Sequence, residues 1–306
     1  MADARSLTLR TIKNVAAAVD RVRRPPAGVV VLIYHRVGGG SGSEVDLSSQ
    51  AFDDQMAWLA ESGRVVTLDR AVDLLAADCE APASVGLSAK HDDDRHIGSS
   101  PGQRSGPLGS SGPLPASPIV VTFDDGTADL ADFATPILER HGVPAMVYLA
   151  TRFVDERRSF PGDAAPLSWS AVSDMASTGL VAFGSHTHSH RLLDRLAPAD
   201  AADELNRSRA LIEAHVGAPA HHFAYPKAVA PSPQVEPLVR ERFRSAALGG
   251  NRPNRVGATD AHRLARTAVQ VSDGFRYFVR KAHGGMAFED SLRRAVNRIR
   301  YRKAAD

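Results

Sequence analysis

Apolar, β-branched runs recur along the chain at residues 29–34, 64–68, 118–123, 144–149, 180–184, 222–225 and 244–248. Each has the length of a strand, and most are nearly continuous rather than alternating, as strands covered on both faces are. Between most of them the apolar positions fall at helical spacing, over 52–62, 69–76, 128–141, 168–178, 198–215 and 232–242. Several of these stretches open with Asp, Ser or Pro, as helix starts do. Strands alternating with helices predict an α/β fold around a mostly parallel sheet.

The pattern fails between Ala76 and Ser117, where Gly, Ser and Pro dominate and apolar residues thin out. Such a stretch cannot bury enough surface to order itself, so it is expected to be a disordered insertion at about 77–117. Within it His91-Asp92-Asp93-Asp94-Arg95-His96 has the composition of a ligand cluster, but its flexible context offers no preorganisation. At the N-terminus Leu9, Ile12, Val15, Ala16, Val19 and Val22 lie at helical spacing among basic residues. Residues 1–26 read either as a basic amphipathic helix resting weakly on a membrane surface, or as a helix docked on the main domain or a frayed basic leader. Residues 291–306 form a second basic end, a helix or tail.

Composition narrows the classes without choosing among them. With 43% hydrophobic and 24% charged residues and a formal net charge of +2, the chain is ordinary globular material, and no polyanionic partner follows. Basic ends without interleaved aromatics give no nucleic-acid motif. The single cysteine, Cys79, excludes an intramolecular disulfide and a multi-cysteine metal site. No apolar run approaches membrane-spanning length, and the N-terminus lacks the apolar core of a secretory signal, so a cytoplasmic location is expected, peripheral to the membrane if the first helix binds lipid.

The chemistry concentrates at two strand ends. Pro118-Ile119-Val120-Val121-Thr122-Phe123 stops in Asp124-Asp125-Gly126. Adjacent carboxylates in one confined site repel unless a cation or a division of duties separates them. The run ending in Gly184 leads into Ser185-His186-Thr187-His188-Ser189-His190, three alternating histidines in a chain that has twelve in all. Imidazole is the commonest neutral ligand of a borderline metal. The alternative for the two aspartates is a helix N-cap followed by a first-turn acid.

Thr122-Phe123-Asp124-Asp125-Gly126 followed by His186-Thr187-x-x-His190 resembles the first two signatures of the polysaccharide deacetylases, carbohydrate esterase family 4, the nodulation-type deacetylase homology domain. Val31-Leu32-Ile33-Tyr34-His35-Arg36-Val37 is similar to the family's opening strand, Pro136 to Ala145 to its helix-turn-strand, and Phe223-Ala224-Tyr225-Pro226 to its third motif, in a Phe-Ala-Tyr-Pro variant. The resemblance spans roughly 29–290 and implies a distorted (β/α) barrel of about seven strands over residues 27–290. It also implies a metal-dependent hydrolase removing N-acetyl groups from an amino sugar, oligosaccharide or polysaccharide. A small non-sugar amide or an O-acetyl ester is the alternative substrate, and a degenerate, non-catalytic binding or membrane-associated scaffold is the alternative function.

By the same resemblance Asp125, His186 and His190 hold a divalent metal, zinc first among the candidates, and Asp124 is the general base. If the segment after the strand turns helically, residues four apart share a face, so His186 and His190 meet and His188 points away to the surface or a second layer. Tyr225 and Pro226 line the substrate groove, the Tyr225 backbone N–H helping to hold the oxyanion; a buried strand end is the alternative. The family's arginine two residues before the motif proline is replaced by Ala224, and Arg266 takes over the orienting of the base. No C-terminal Leu-x-x-His motif supplies the general acid, which leaves His35 at the end of the first strand or His283 in a glycine-rich turn; His35 is the choice, against a hydrogen-bonded core histidine. Trp169 is either an apolar wall for a sugar ring or a core aromatic at a helix start.

Overall fold

The computed structural model describes residues 11–20, 25–77, 115 and 117–291. The segments 1–10 and 292–306, Cys79 and nearly all of the expected insertion with its His91–His96 cluster lie outside them. The elements run α1 (residues 11–20), β1 (Val30–Tyr34), β2 (Arg36–Val37), β3 (Asp46–Leu47), α2 (Ser49–Glu61), α3 (Leu68–Ala76) and β4 (Ile119–Phe123). A π-helical turn (Leu130–Ala134) leads into α4 (Thr135–His141), then β5 (Ala145–Leu149), α5 (Thr151–Asp155), α6 (Trp169–Ser177), β6 (Val181–Ser185) and α7 (Pro198–Val216). The chain continues through β7 (His222–Ala224), α8 (Glu236–Arg242), β8 (Ser245–Ala247), β9 (Thr267–Ala268) and α9 (Gly274–Ala282).

Seven strands form one sheet in the order β8-β7-β6-β5-β4-β1-β9, and every pairing is parallel. The sheet curls, because Leu264 just before β9 exchanges hydrogen bonds with Ala246 and Leu248 at the far edge. The segment 264–268 therefore touches both ends of the strand order, and the fold is the distorted (β/α) barrel that the motifs imply. One layer of apolar side chains packs between the sheet and its outer helices, from Leu32, Val121 and Val147 to Phe52, Leu138 and Phe278. A second fills the interior, where Val31, Val120, Met146 and Tyr148 meet Leu68, Val72 and Leu75 of α3, which lies across one end of the barrel.

The number of strands agrees with the sequence reading, but one member differs. Residues 64–68 are not a strand. Val65 makes a single bridge to Ile119, and Thr67 then caps α3, its side chain accepting the Arg70 N–H. Only Leu68 of that run enters the buried face of the amphipathic α3; Val65 and Val66 precede its cap, and the Val66 N–H donates to the Ile119 carbonyl. The seventh strand is instead β9, two residues long and defined by pairing with β1 rather than by any local pattern.

The N-terminal helix is docked. Its buried residues are Lys13, Ala16 and Ala17, whereas Val15 of the predicted apolar stripe is 44% exposed. Lys13 is paired with Asp273 and Glu289, and Tyr277 donates to Asn14, so α1 is held against α9 and the residues after it. This corrects the membrane-surface reading for residues 11–20, since the face turned inward carries an ion pair that only a protein partner satisfies. Among the described residues no helix is long and apolar enough to cross a membrane.

Candidate active site

Parallel strands deliver their C-terminal ends to one face, and in barrels that face carries the chemistry. Asp124 and Asp125 follow β4, His186 and His190 follow β6, Tyr225 follows β7, and His35 follows β1.

Asp125, His186 and His190 come together, with one ligand atom from each within 4.8 Å of the others. His190 Nε2 is 3.5 Å and His186 Nε2 3.8 Å from Asp125 Oδ1. The two imidazoles meet edge to face with centroids 4.9 Å apart. His186 Nδ1 donates to the Ala224 carbonyl at 2.7 Å. That bond fixes the tautomer and leaves the Nε2 lone pair toward Asp125, the outer-layer support a metal-ligating histidine needs. Burial and the neighbouring His186 push His190 down to about 4, so at neutral pH it is an uncharged donor. One aspartate oxygen and two imidazole nitrogens that converge in this way are a donor set that fits a divalent ion.

The geometry that brings the histidines together is not the helical turn expected from their spacing. After β6 the chain is irregular, and Thr187 (φ 64°) and His190 (φ 61°) are both left-handed. Asp125 is left-handed as well, at φ 73°. Such conformations are costly for residues other than glycine and persist where the surroundings over-determine them. The surroundings here are Glu204 of α7, whose carboxylate accepts the Ser189 N–H at 2.7 Å and the Ser189 hydroxyl at 2.5 Å. Glu204 is not legible in sequence, since a glutamate inside a helix carries no local signal of a loop partner. Of the two places expected for His188, it takes the inner one: it is buried outside the cluster, and its Nδ1 lies 3.0 Å from Thr151 Oγ1. Gly126 follows Asp125 at φ 95°, and a Cβ there would come within 2.5 Å of Leu149.

Asp124 points into the barrel, where Arg266 grips it by two bonds, Nη1 to Oδ1 at 2.5 Å and Nη2 to Oδ2 at 2.9 Å. Arg266 is fully buried, its guanidinium 5.1 Å from the Tyr148 ring centroid and its Nε donating to the Leu248 carbonyl. Burial alone would raise the Asp124 carboxyl, but Arg266 and then His186 outweigh it and hold the group well below the usual carboxylate range. His35 lies between β1 and β2, half-buried, and its charge also bears on Asp124. Its Nδ1 is buried without a hydrogen-bond partner among the described residues. The rival histidine, His283, sits 3.1 Å from Arg64 and edge-on to Trp58. Arg64 in turn holds the Ser117 carbonyl at the start of β4, the opposite end of that strand from Asp124.

The oxyanion assignment of Tyr225 does not survive, and the two readings of Trp169 are decided. The Tyr225 N–H donates to the Ala247 carbonyl at 3.0 Å as part of the sheet, so it is not an oxyanion donor. The Tyr225 side chain is buried among Phe223, Leu193 and Val239, and Pro226 is buried beside it. Their strand serves the site through Ala224, whose carbonyl orients His186. Trp169 stacks on His215 at 4.1 Å and donates its indole N–H to Asp155. It is the aromatic of a helix start, tied to α5 and α7, and contributes no wall to the cluster.

Comparison with known proteins agrees with this arrangement. The family described as polysaccharide deacetylase matches residues 111–236. A putative polysaccharide deacetylase, YxkH of Bacillus subtilis (strain 168), is 21% identical over 188 residues, 61% of this chain and 52% of that protein, so the chain spans about half the length of this curated relative. Among solved structures, IcaB from Ammonifex degensii superposes with a TM-score of 0.64 at 24% identity, covering 85% of this chain and 98% of that one. The Streptococcus pyogenes deacetylase PplD, solved with acetate, gives 0.62 at 17% identity over 84% and 99%. These likenesses establish the barrel. The stretch that matches the polysaccharide deacetylase family, residues 111–236, contains both aspartates, both clustered histidines and the strand that orients them.

Proposed function

We propose that this chain is a metal-dependent hydrolase that removes N-acetyl groups from an amino sugar within an oligosaccharide or polysaccharide. The observation that carries the reading is the division of labour between two adjacent carboxylates. Asp125 faces His186 and His190, and Asp124 faces Arg266. A site in which one aspartate serves a cation and its neighbour is locked to an arginine suits amide hydrolysis, which needs an electrophile and a base side by side.

Asp125, His186 and His190 would hold the ion, and zinc suits this set of one oxygen and two nitrogen donors. When bound, it supplies the Lewis acidity that polarises an amide carbonyl. Asp124 takes the proton of the attacking water. Arg266 fixes both of its oxygens, so the carboxylate meets the water in one orientation. His35, with a buried and unpartnered Nδ1 near Asp124, delivers the proton that lets the amine leave.

The test is acetate release from an acetamido oligosaccharide, measured before and after chelation and after zinc is restored. Asp124→Asn should keep its zinc and lose turnover by about two decades or more, the scale of general acid-base effects. Near-normal turnover in that variant would place the base elsewhere.

A further inference from the structure

Beyond the strand that follows Arg266 lies a buried set of four charges that the chemistry above does not use. Lys13 of α1 pairs with Asp273 and lies 3.1 Å from Glu289. Lys281 of α9 lies 2.8 Å from the other oxygen of Asp273 and 3.5 Å from Glu289. Both lysines and Asp273 are almost wholly out of solvent. Two cations and two anions balance one another, but the set makes one bond more than balance requires. Lys281 Nζ donates to the Ala268 carbonyl at 2.9 Å.

Ala268 ends β9, and Arg266 lies two residues before it. Side chains two apart along an extended strand share a face and sit about 7 Å apart, so a tilt of the backbone at Ala268 moves the root of the arginine. Upstream the segment is held at Arg266 itself, whose carbonyl accepts the Gly250 N–H at 2.8 Å. Downstream its ladder to β1 has only two residue pairs, Leu32 with Thr267 and Ile33 with Ala268. The chain then turns at Gln270, whose N–H donates to Asp273 at 2.7 Å. Lys281 therefore closes the end of a very short strand, and the Asp273 that holds Lys281 also holds the turn beyond. The arginine must offer two nitrogens to two oxygens of Asp124 at once, an alignment that a shift of about 1 Å destroys. Buried ion pairs are often no more stabilising than apolar packing of the same volume, so the placement of Lys281 calls for a use other than stability.

We propose that Lys281 is a positioning residue for the base: through the Ala268 carbonyl it fixes the end of β9, and with it the seat from which Arg266 grips both oxygens of Asp124. The effect on turnover rests on the deacetylase reading. Asp273 keeps Lys281 charged and in place, since burial pulls the ammonium below the usual lysine range and Asp273 is the first group to oppose it. Lys13 and Glu289 fasten α1 to the residues after α9 and take no part in seating Arg266.

The experiment compares two double variants that each delete one cation and one anion. Lys281→Met with Asp273→Asn leaves Lys13 opposite Glu289 and removes the bond to Ala268. Lys13→Met with Glu289→Gln leaves Lys281 opposite Asp273 and keeps that bond. Acetate release from the β-linked pentamer of N-acetylglucosamine by zinc-loaded protein gives kcat and KM. NMR exchange of the Arg266 Nε–H, which donates to the Leu248 carbonyl and is assigned by its absence in Arg266→Lys, reports how firmly the guanidinium is seated. The first double variant should lower kcat by about tenfold at nearly unchanged KM and metal content and speed that exchange by a similar factor, the scale of one lost bond to a charged group. The second should leave these values near those of the unaltered chain. Equal changes in the two, or an unmoved kcat and exchange rate in the first, would overturn the proposal. Should the first fail to fold, the coupling is read from its other end, because coupling between two groups is reciprocal. Arg266→Met should then speed exchange of the Lys281 ammonium protons by about tenfold, and an unchanged rate overturns the proposal. If the unaltered chain releases no acetate, the deacetylase reading fails alone, and the Arg266 exchange rates in the two double variants decide whether Lys281 seats it.

Discussion

Arg266 and Asp124 meet through two parallel hydrogen bonds, 142 residues apart in sequence and both inside the barrel. A paired buried carboxylate is acceptable only while its partner is there; removing the cation leaves an uncompensated charge, at a cost of about 3–5 kcal/mol. Arg266→Met should therefore lower the stability by that order in urea melts. It should also shift activity in a definite direction. Asp124 is held below its ordinary value, so its ionised form is favoured by folding, and that contribution is lost only as pH falls through the depressed folded value. Without Arg266 burial raises the carboxyl, and the acidic limb of the pH–rate profile should move to higher pH. Arg266→Lys keeps the charge but not the two-point grip and should move the limb less. An unmoved limb in Arg266→Met would show that Asp124 is not the titrating base.

The two neighbouring histidines make separable predictions. His190→Ala removes a member of the three-residue cluster, and metal content after dialysis should fall sharply, with affinity weaker by about 10–100-fold or more. His188 is bonded to Thr151 and lies outside the cluster. His188→Ala should retain the metal and cost stability instead, by about 1–3 kcal/mol for a buried partner left unsatisfied. Equal metal loss in both would mean that the wrong pair has been assigned.

The proton donor can be isolated by the choice of leaving group. An amine leaves poorly unless protonated, whereas an activated phenol leaves without help. His35→Ala should impair hydrolysis of an acetamido sugar far more than hydrolysis of an activated acetyl ester, with metal content preserved. His283→Ala, next to Arg64 at the other end of β4, should show no such selectivity. Selectivity at His283 would withdraw the assignment of His35.

Gly184 provides a test of packing under the site. A Cβ there would fall 2.6 Å from the His222 carbonyl oxygen and 2.9 Å from the Tyr148 ring that lies under Arg266. Backbone cannot yield cheaply, so Gly184→Ala should destabilise by about 1–3 kcal/mol, the cost of overpacking, with a lowered denaturation midpoint as the readout. A variant as stable as the parent would show that β6 and β7 have slack at this point.

What the sequence discloses divides along the range of the interactions involved. Asp124, Asp125, His186 and His190 are legible because each follows a local apolar run, and a run of that kind reports on its own strand. Long helices such as α7 and α2 are legible for the same reason. The seventh strand is not, because two residues have no pattern and exist as a strand only through β1. The path from His186 to His190 is misleading in sequence, since i,i+4 spacing suggests a helix and nothing in Thr187 or His190 announces a left-handed backbone. Tyr225 misleads for a different reason: whether its backbone N–H is free or already engaged depends on a strand partner, Ala247, that lies more than twenty residues away. Arg266 is found by resemblance to relatives, since nothing in its own surroundings, Leu264 to Val269, marks a strand or a partner for Asp124.

The segment from Leu264 to Ala268 joins the two ends of the strand order, and Arg266 sits in its middle. The step that completes the barrel and the step that seats the arginine on Asp124 are therefore one event in folding. Contacts between residues so distant in sequence form late and slowly, because the long loop between them must be closed first. Asp125, His186 and His190 are drawn from β4 and β6, two strands apart in the sheet, and do not depend on that closure. During refolding the capacity to take up metal should return before the capacity to turn over substrate, so the interval between the two measures the time the chain takes to shut.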